Sequence, residues 1–210
     1  MTKILLVRHG HVEGIVPERF RGRRDVPLSE QGLQQARAVA QYIAADWHPA
    51  RIYTSPLQRC IRTGQEIASA CGPSAESLDE LNDLDYGAWE WQTHEDVKAR
   101  WPEQFELWHQ APHRMRFPQG ESLQDLGARV ADALRSILQG PANETVVLVG
   151  HYSSSRVLLL QLLDLPLSAY WRLTLDPCGL SEIEVCAHAA RVLRINETQH
   201  LRAATLLPRR

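Results

Sequence analysis

Two histidines and two arginines stand where apolar runs end, and together they have the chemistry to hold and transfer an anion. Arg8-His9-Gly10 follows Ile4-Leu5-Leu6-Val7 directly. An apolar run rich in branched side chains reads as a buried strand, and the glycine after it as a turn. Arg8 and His9 are therefore expected at the carboxyl end of a strand, where open α/β sheets bind their ligands. Arginine presents a planar fork of donors to phosphate oxygens, and a neutral imidazole is a nucleophile. His151 ends the run Val147-Leu148-Val149-Gly150, and Arg59 falls on the first turn of a helix after Thr54-Ser55-Pro56. Parallel strands share one such edge, so these four side chains can converge. Two guanidiniums repel a metal ion but suit a phosphoryl group that develops charge in transfer.

The elements that must position them alternate along the chain. After the first strand, Leu33, Ala36, Val39, Ala40 and Ile43 recur at helical spacing, with Ser29 as a plausible N-cap. Arg51–Ser55 reads as a second strand, stopped by Pro56, and Gln58–Ala70 as the helix after it. Ser122–Leu138 carries one apolar stripe, Thr145–Gly150 is the most strand-like run, and Ser153–Leu163 is its following helix. Leu180–Val185 and Arg191–Ile195 alternate as a final strand pair. This order predicts a three-layer α/β/α fold, with a mostly parallel central sheet and one antiparallel edge strand. Residues 1–210 read as a single domain. Within it, 82–120 forms an irregular, cap-like segment over the active-site edge, and 199–210 a loose tail.

Composition narrows the function. A chain of 210 residues suits one well-packed domain, and a net charge of −2 disfavours a general nucleic-acid or membrane-surface binder. No apolar run reaches the roughly 20 residues that span a bilayer. The N-terminus enters a strand at once, so no signal peptide is expected. Cys60, Cys71, Cys178 and Cys186 show no CxxC pairing, which disfavours zinc and disulfides and makes a reducing cytoplasm the expected compartment. His9 and His11 form an HxH pair, but alternation sends the two rings opposite ways and no Asp or Cys completes a site. Neither metal nor cofactor is expected.

The chain resembles the histidine phosphatase superfamily, also called phosphoglycerate-mutase-like, nearly end to end. The resemblance is carried by Leu-Val-Arg-His-Gly at 6–10, Arg-Phe-Arg-Gly at 19–22, Asp-Val-Pro-Leu-Ser-Glu-Gln-Gly at 25–32 and Ser-Pro-Leu-Gln-Arg at 55–59. It continues through Leu-Asn-Asp-Leu-Asp-Tyr-Gly-Ala-Trp-Glu at 81–90, Gly-Glu-Ser at 120–122 and Val-Gly-His at 149–151. It implies a two-step, metal-free phosphoryl transfer in which His9 carries the phosphoryl group and Arg8, Arg59 and His151 hold its oxygens. An acid must protonate the departing oxygen and later draw a proton from water. The family commonly uses a Glu there; the aligned residue is Asp83, whose carboxyl is set about 1.5 Å back by the missing methylene. Glu90 is the alternative donor.

Around this core the sequence departs from the family. His11 and Val12 replace a common Glu or Gln and Thr or Ser, and Ile15 replaces an Asn. Arg21 stands where Gln or Ser is usual, Trp91 replaces a Gly, and Tyr152 follows the second histidine. We read Arg21, Gly22, His11, Tyr152 and Trp89 as substrate-binding, with Trp89 and Trp91 lining a cleft beside Asp83 and Tyr152 at its mouth. The plain alternatives are a solvated charge run for the arginines and core packing for the tryptophans. The leading expectation is a phosphomonoesterase of the histidine acid phosphatase type, acting on a small-molecule phosphate ester. Its alternatives are a phosphoglycerate-type phosphomutase and a phosphate-ligand binding protein without turnover. The final strand pair offers an edge at which a homodimer could form.

Overall fold

The computed structural model describes residues 1–13, 18–186 and 189–203; the position of Ile15 therefore lies outside the described residues. Six strands form one sheet: β1 (Thr2–Arg8), β2 (Arg51–Thr54), β3 (Ala75–Ser77), β4 (Thr145–Gly150), β5 (Leu180–Cys186) and β6 (Ala189–Glu197), in the order β3-β2-β4-β1-β5-β6. β1, β2, β3 and β4 run parallel, and β5 and β6 complete the sheet by antiparallel pairing. The helices are α1 (Glu30–Asp46), α2 (Gln58–Cys71), α3 (His94–Arg100), α4 (Pro102–Gln110), α5 (Leu123–Leu138), α6 (Tyr152–Leu162) and α7 (Gln199–Ala203).

The alternation of β1 builds the three layers. Ile4 and Leu6 face one apolar core with Val146 and Leu148, closed by α5 and α6. Leu5 and Val7 face another with Val147 and Val149, closed by α1 and α2. Strands buried on both faces read as continuous apolar runs, which is why these two were plain in the sequence. Ser29 caps α1 by accepting from Gly32 N, and Ser122 caps α5 in a capping box with Asp125.

The chain leaves β1, crosses to β2 and later returns to lay β4 between them. Arg8 pairs with Gly150 and Thr54 with Val149, so the carboxyl ends of the three strands lie side by side. This register brings residues 9, 55 and 151 to one edge.

The segment from Asn82 to Gly120 contains α3, α4 and two single-turn helices. Its Trp89, Trp108, Met115 and Phe117 join the core on the α5 side. It is tied to the loop before α1 where Phe20 N donates to Gln92 O and Trp91 N to Phe20 O. β3 was not visible in the sequence, because three residues with two exposed side chains give no apolar pattern. The tail begins as α7, which buries Leu201; residues 204–210 lie outside the described residues. Among the described residues, no helix is long and apolar enough to cross a membrane.

Candidate active site

His9 emerges from β1 almost fully buried, with its backbone N–H given to Gly150 O. Its Nδ1 lies 2.7 Å from Gly10 O. A carbonyl oxygen only accepts, so Nδ1 carries the proton and Nε2 keeps a lone pair. The turn that follows needs glycine at both contacts with α1. A Cβ on Gly10 would meet Gly32 O at 2.5 Å, and one on Gly32 would strike His11 O. Gly10 N donates to Thr63 Oγ1 of α2, which fixes the turn from a second side.

Arg59 lies on the first turn of α2, fully buried, and fans out four contacts. Nη1 donates to Arg24 O at 2.8 Å and Nη2 to Gly22 O at 2.7 Å. Nη2 also reaches Asp83 Oδ2 at 3.3 Å, and Nε donates to His151 Nδ1 at 3.2 Å. Because Nδ1 of His151 accepts, its Nε2 holds the proton and donates to Ser55 Oγ at 2.7 Å. His151 thus stands as a neutral tautomer between Arg59 and Ser55, its ring centroid 5.2 Å from that of His9. Arg8 gives Nη1 to Leu175 O and lies over the Tyr152 ring, while its Nε is buried without a partner.

Burial and crowded positive charge set the protonation states. Burial, then Arg59 and Arg8, push His9 well below the usual imidazole range. Burial, Arg59 and His9 do the same to His151. Burial and the nearby Arg21 lower even Arg8, to about 10. Asp83 moves up, because burial outweighs the pull of Arg59. The nearby thiol of Cys60 is pushed up to about 12 by burial and offers no competing nucleophile. The cluster is therefore two neutral imidazoles, two buried guanidiniums and a carboxyl group whose proton affinity burial raises. It can bind an anion, attack it from Nε2 of His9 and deliver a proton.

Beside Asp83 opens a cleft of about 270 Å³, whose lining includes Arg21, Gly22, Asp83, Tyr86, Tyr152 and Trp171. Arg21, Gly22 and Tyr152, read from the sequence as substrate-binding, all line this cleft. Trp89 is not: it is fully buried against Phe20 and Phe117, so its expected place in the cleft is corrected to the core. The apolar neighbours supplied by 82–120 complete that core and draw the indole inward. Trp91 stacks under Arg19 and Arg24 instead of lining the cleft. His11 bonds Ser29 Oγ through Nδ1 at the cap of α1, outside the cleft lining. Glu90 accepts from Arg23 N beside Gly22, where a φ of +52° disfavours any side chain and a Cβ would strike the Glu90 carboxylate. Among the described residues, no cluster could hold a metal ion.

Nothing in the sequence marked Ser55 as the partner of His151, nor paired the hydroxyls under the cleft. Tyr170 donates to Ser153 Oγ at 2.8 Å, and the Tyr86 hydroxyl lies 3.1 Å from the same oxygen. Arg156, buried behind them, stacks on Tyr152, Tyr170 and Trp171. Ser55 and Tyr86 fall inside the motifs quoted above, but a motif does not record which distant side chain each hydroxyl meets.

Residues 4–198 match the family described as histidine phosphatase superfamily (branch 1). Phosphoserine phosphatase 1 of Hydrogenobacter thermophilus is 35% identical over 201 residues, covering 96% of this chain and 95% of that protein. A protein of Yersinia pestis named probable phosphoglycerate mutase GpmB is 35% identical over 188 residues, covering 88% and 85%. YhfR of Bacillus stearothermophilus superposes with a TM-score of 0.90 at 28% identity, covering 96% of this chain and all of that one. A phosphoserine phosphatase of Entamoeba histolytica, solved in complex with phosphoserine, gives 0.85 at 26% identity over 96% of this chain and 100% of its own.

Proposed function

From the premise that the chain belongs to the histidine phosphatase superfamily, we propose that it is a metal-independent phosphomonoesterase hydrolysing a small organic phosphate through a phosphohistidine on His9. One observation carries this reading. The Nδ1–H of His9 is tied to Gly10 O, so Nε2 faces the reaction as a neutral nucleophile.

The ester's phosphorus receives the Nε2 lone pair while the bond to the leaving oxygen breaks. Arg8 and Arg59 neutralise charge on the non-reacting oxygens, with Arg59 oriented by His151. Asp83 gives its proton to the leaving oxygen. In the second step it takes a proton from water, whose oxygen displaces Nε2 and releases phosphate. Burial is what fits Asp83 to both tasks, since it favours the protonated form before attack.

The phosphomutase reading keeps one observation, the presence of Arg21 in the cleft beyond the phosphate cradle, where it could meet a second anionic group. The test is phosphate release from 4-nitrophenyl phosphate, in EDTA, by the wild type and by His9→Ala. Release that survives EDTA and vanishes in the variant is expected. Phosphohistidine that forms without release supports a mutase, and binding without transfer supports a protein that has lost turnover. Release that the chelator abolishes refutes the metal-free mechanism.

A further inference from the structure

Asp83 is carried on a loop that is held from behind chiefly by one guanidinium, that of Arg129, with Arg23 Nε donating to Asp83 O at 3.4 Å beside it. Arg129 of α5 donates from Nη1 to Glu80 O at 2.8 Å and to Asn82 O at 2.7 Å. Its Nη2 donates to Asp83 O at 2.7 Å. Nε and Nη2 also grip Glu121 through both carboxylate oxygens, each at 2.9 Å. Glu121 in turn accepts from Asp85 N at 3.1 Å and from Arg23 Nη2 at 2.7 Å. A solvent-facing hollow of about 410 Å³, lined by Arg23, Asp79, Glu80, Asn82 and Arg129, lies on this side of the loop. Leu81 and Leu84 anchor the loop in the core, and on this side polar contacts fasten the carbonyls between them.

The fastening controls where a proton can be delivered. Asp83 Oδ1 is taken by Leu84 N at 2.9 Å, which leaves Oδ2 turned toward Arg59 and His151. An aspartate has a single methylene between backbone and carboxyl, so it cannot correct a displaced backbone by changing rotamer as a longer side chain can. The position of Oδ2 is then set by the carbonyls of Glu80, Asn82 and Asp83, and these are what Arg129 holds. α5 gives the clamp a rigid base, because Leu126 and Val130 beside Arg129 are buried in the core.

We propose that Arg129, locked by Glu121, is a positioning residue for the general acid: it fixes the 80–83 loop so that Asp83 meets the leaving oxygen. The inference rests on the reading of Asp83 as that acid. The geometry predicts a defect that depends on the leaving group. 4-Nitrophenolate departs with little need of a proton, whereas phenolate needs one, and the two esters are otherwise close in size and shape.

The experiment measures kcat/KM, which reports the steps through departure of the leaving oxygen and not the shared hydrolysis of the phosphohistidine, on 4-nitrophenyl phosphate and on phenyl phosphate for the wild type, Asp83→Asn, Arg129→Gln and the double variant. For Arg129→Gln we expect a loss of about 10- to 100-fold on phenyl phosphate and less than about threefold on 4-nitrophenyl phosphate. Asp83→Asn should show the same selectivity with a larger loss, and the double variant should be no worse than Asp83→Asn alone. If Asp83→Asn loses equally on both esters, the acid assignment fails and the inference fails with it. If Asp83→Asn is selective but Arg129→Gln is not, or if the two losses multiply, the clamp alone is refuted. Glu121→Gln is nearly isosteric and carries the test should Arg129→Gln not fold. The same selectivity, smaller in size, is expected from it, and an equal loss on both esters overturns the proposal.

Discussion

Arg59 joins more of the site than any other side chain described here, so replacing it tests the electrostatic argument as a whole. In Arg59→Met the apolar stem is kept, but the carbonyls of Gly22 and Arg24 lose their buried donors and the Asp83 carboxyl loses its ion pair. Removing one partner of a buried pair costs about 3–5 kcal/mol, chiefly because the other is left uncompensated. The penalty should depend on pH. Burial already raises Asp83 and Arg59 opposes that rise, so losing Arg59 raises it further. A carboxyl raised in the folded state contributes its stability below the unfolded value, and loses it as pH climbs through the folded one. The variant should therefore lie closer to wild type in urea titrations at about pH 4.5 than at about pH 8.

The same substitution should move the rate profile in one direction. Arg59 holds down His9, His151 and Asp83 alike. Without it the acid limb, set by the loss of the imidazolium proton, and the alkaline limb, set by ionisation of the carboxyl, both shift to higher pH. A reduction in kcat of about 10²- to 10³-fold is expected from losing a donor to the developing charge. Arg59→Lys restores the charge but cannot reproduce four directed contacts, so it should recover only a small part of the rate. Wild-type rates in Arg59→Lys would falsify the geometric role, and an unmoved profile in Arg59→Met would refute the electrostatic one.

Ser55→Ala removes the oxygen acceptor of the His151 Nε2–H and leaves it only the weak acceptor Cys60 Sγ, at 3.5 Å, in a fully buried position. We expect a loss of about 1–3 kcal/mol in urea unfolding and a lower kcat, as His151 no longer holds Arg59 in place. Unchanged kcat would show that Ser55 does not orient the ring. Gly10→Ala drives a methyl group into Gly32 O, a contact of 2.5 Å between two backbone segments that have little freedom to part. Overpacking of this kind costs about 1–3 kcal/mol, and displacement of His9 should abolish turnover, so a fully active and stable variant would refute the packing argument. For the wild type, kcat/KM should be bell-shaped on the acidic-to-neutral side, because His9 must be unprotonated and Asp83 protonated. Asp83→Asn should remove the alkaline limb, and a wild-type rate still climbing well into alkali would remove Asp83 from the acid's role.

What could be read from the sequence was what is local. β1 and β4 announced themselves because residues buried on both faces form unbroken apolar runs, and each run ended on a histidine. Ser29 was legible as a cap because capping acts over three residues, from Ser29 Oγ to Gly32 N. The contacts that fix protonation and orientation span the chain instead. Ser55 and His151 are 96 positions apart, Tyr86 and Ser153 are 67 apart, and Arg129 reaches back 46 positions to Asp83. No periodicity records such pairs. Trp89 misled for a related reason: its neighbours in sequence suggested a cleft, but its neighbours in space are Phe20, Trp101 and Phe117.

The aspartate at position 83 shows how the two kinds of information combine. Sequence alone presents it as a shortened acid, its carboxyl set back by one methylene. In the fold its reach is not the governing quantity, because the backbone that bears it is bound at the carbonyls of Glu80, Asn82 and Asp83 and through Glu121 to the next turn. Flexibility that a longer side chain would supply is replaced by placement of the main chain. That exchange has a consequence for specificity. A rigidly placed acid suits leaving oxygens that arrive at one position, and the arrival is governed by the cleft of Arg21, Tyr86, Tyr152 and Trp171. With Asp83 as the proposed acid, selectivity and proton delivery would be coupled, and substitutions in the cleft wall should alter the rate for poor leaving groups as well as KM.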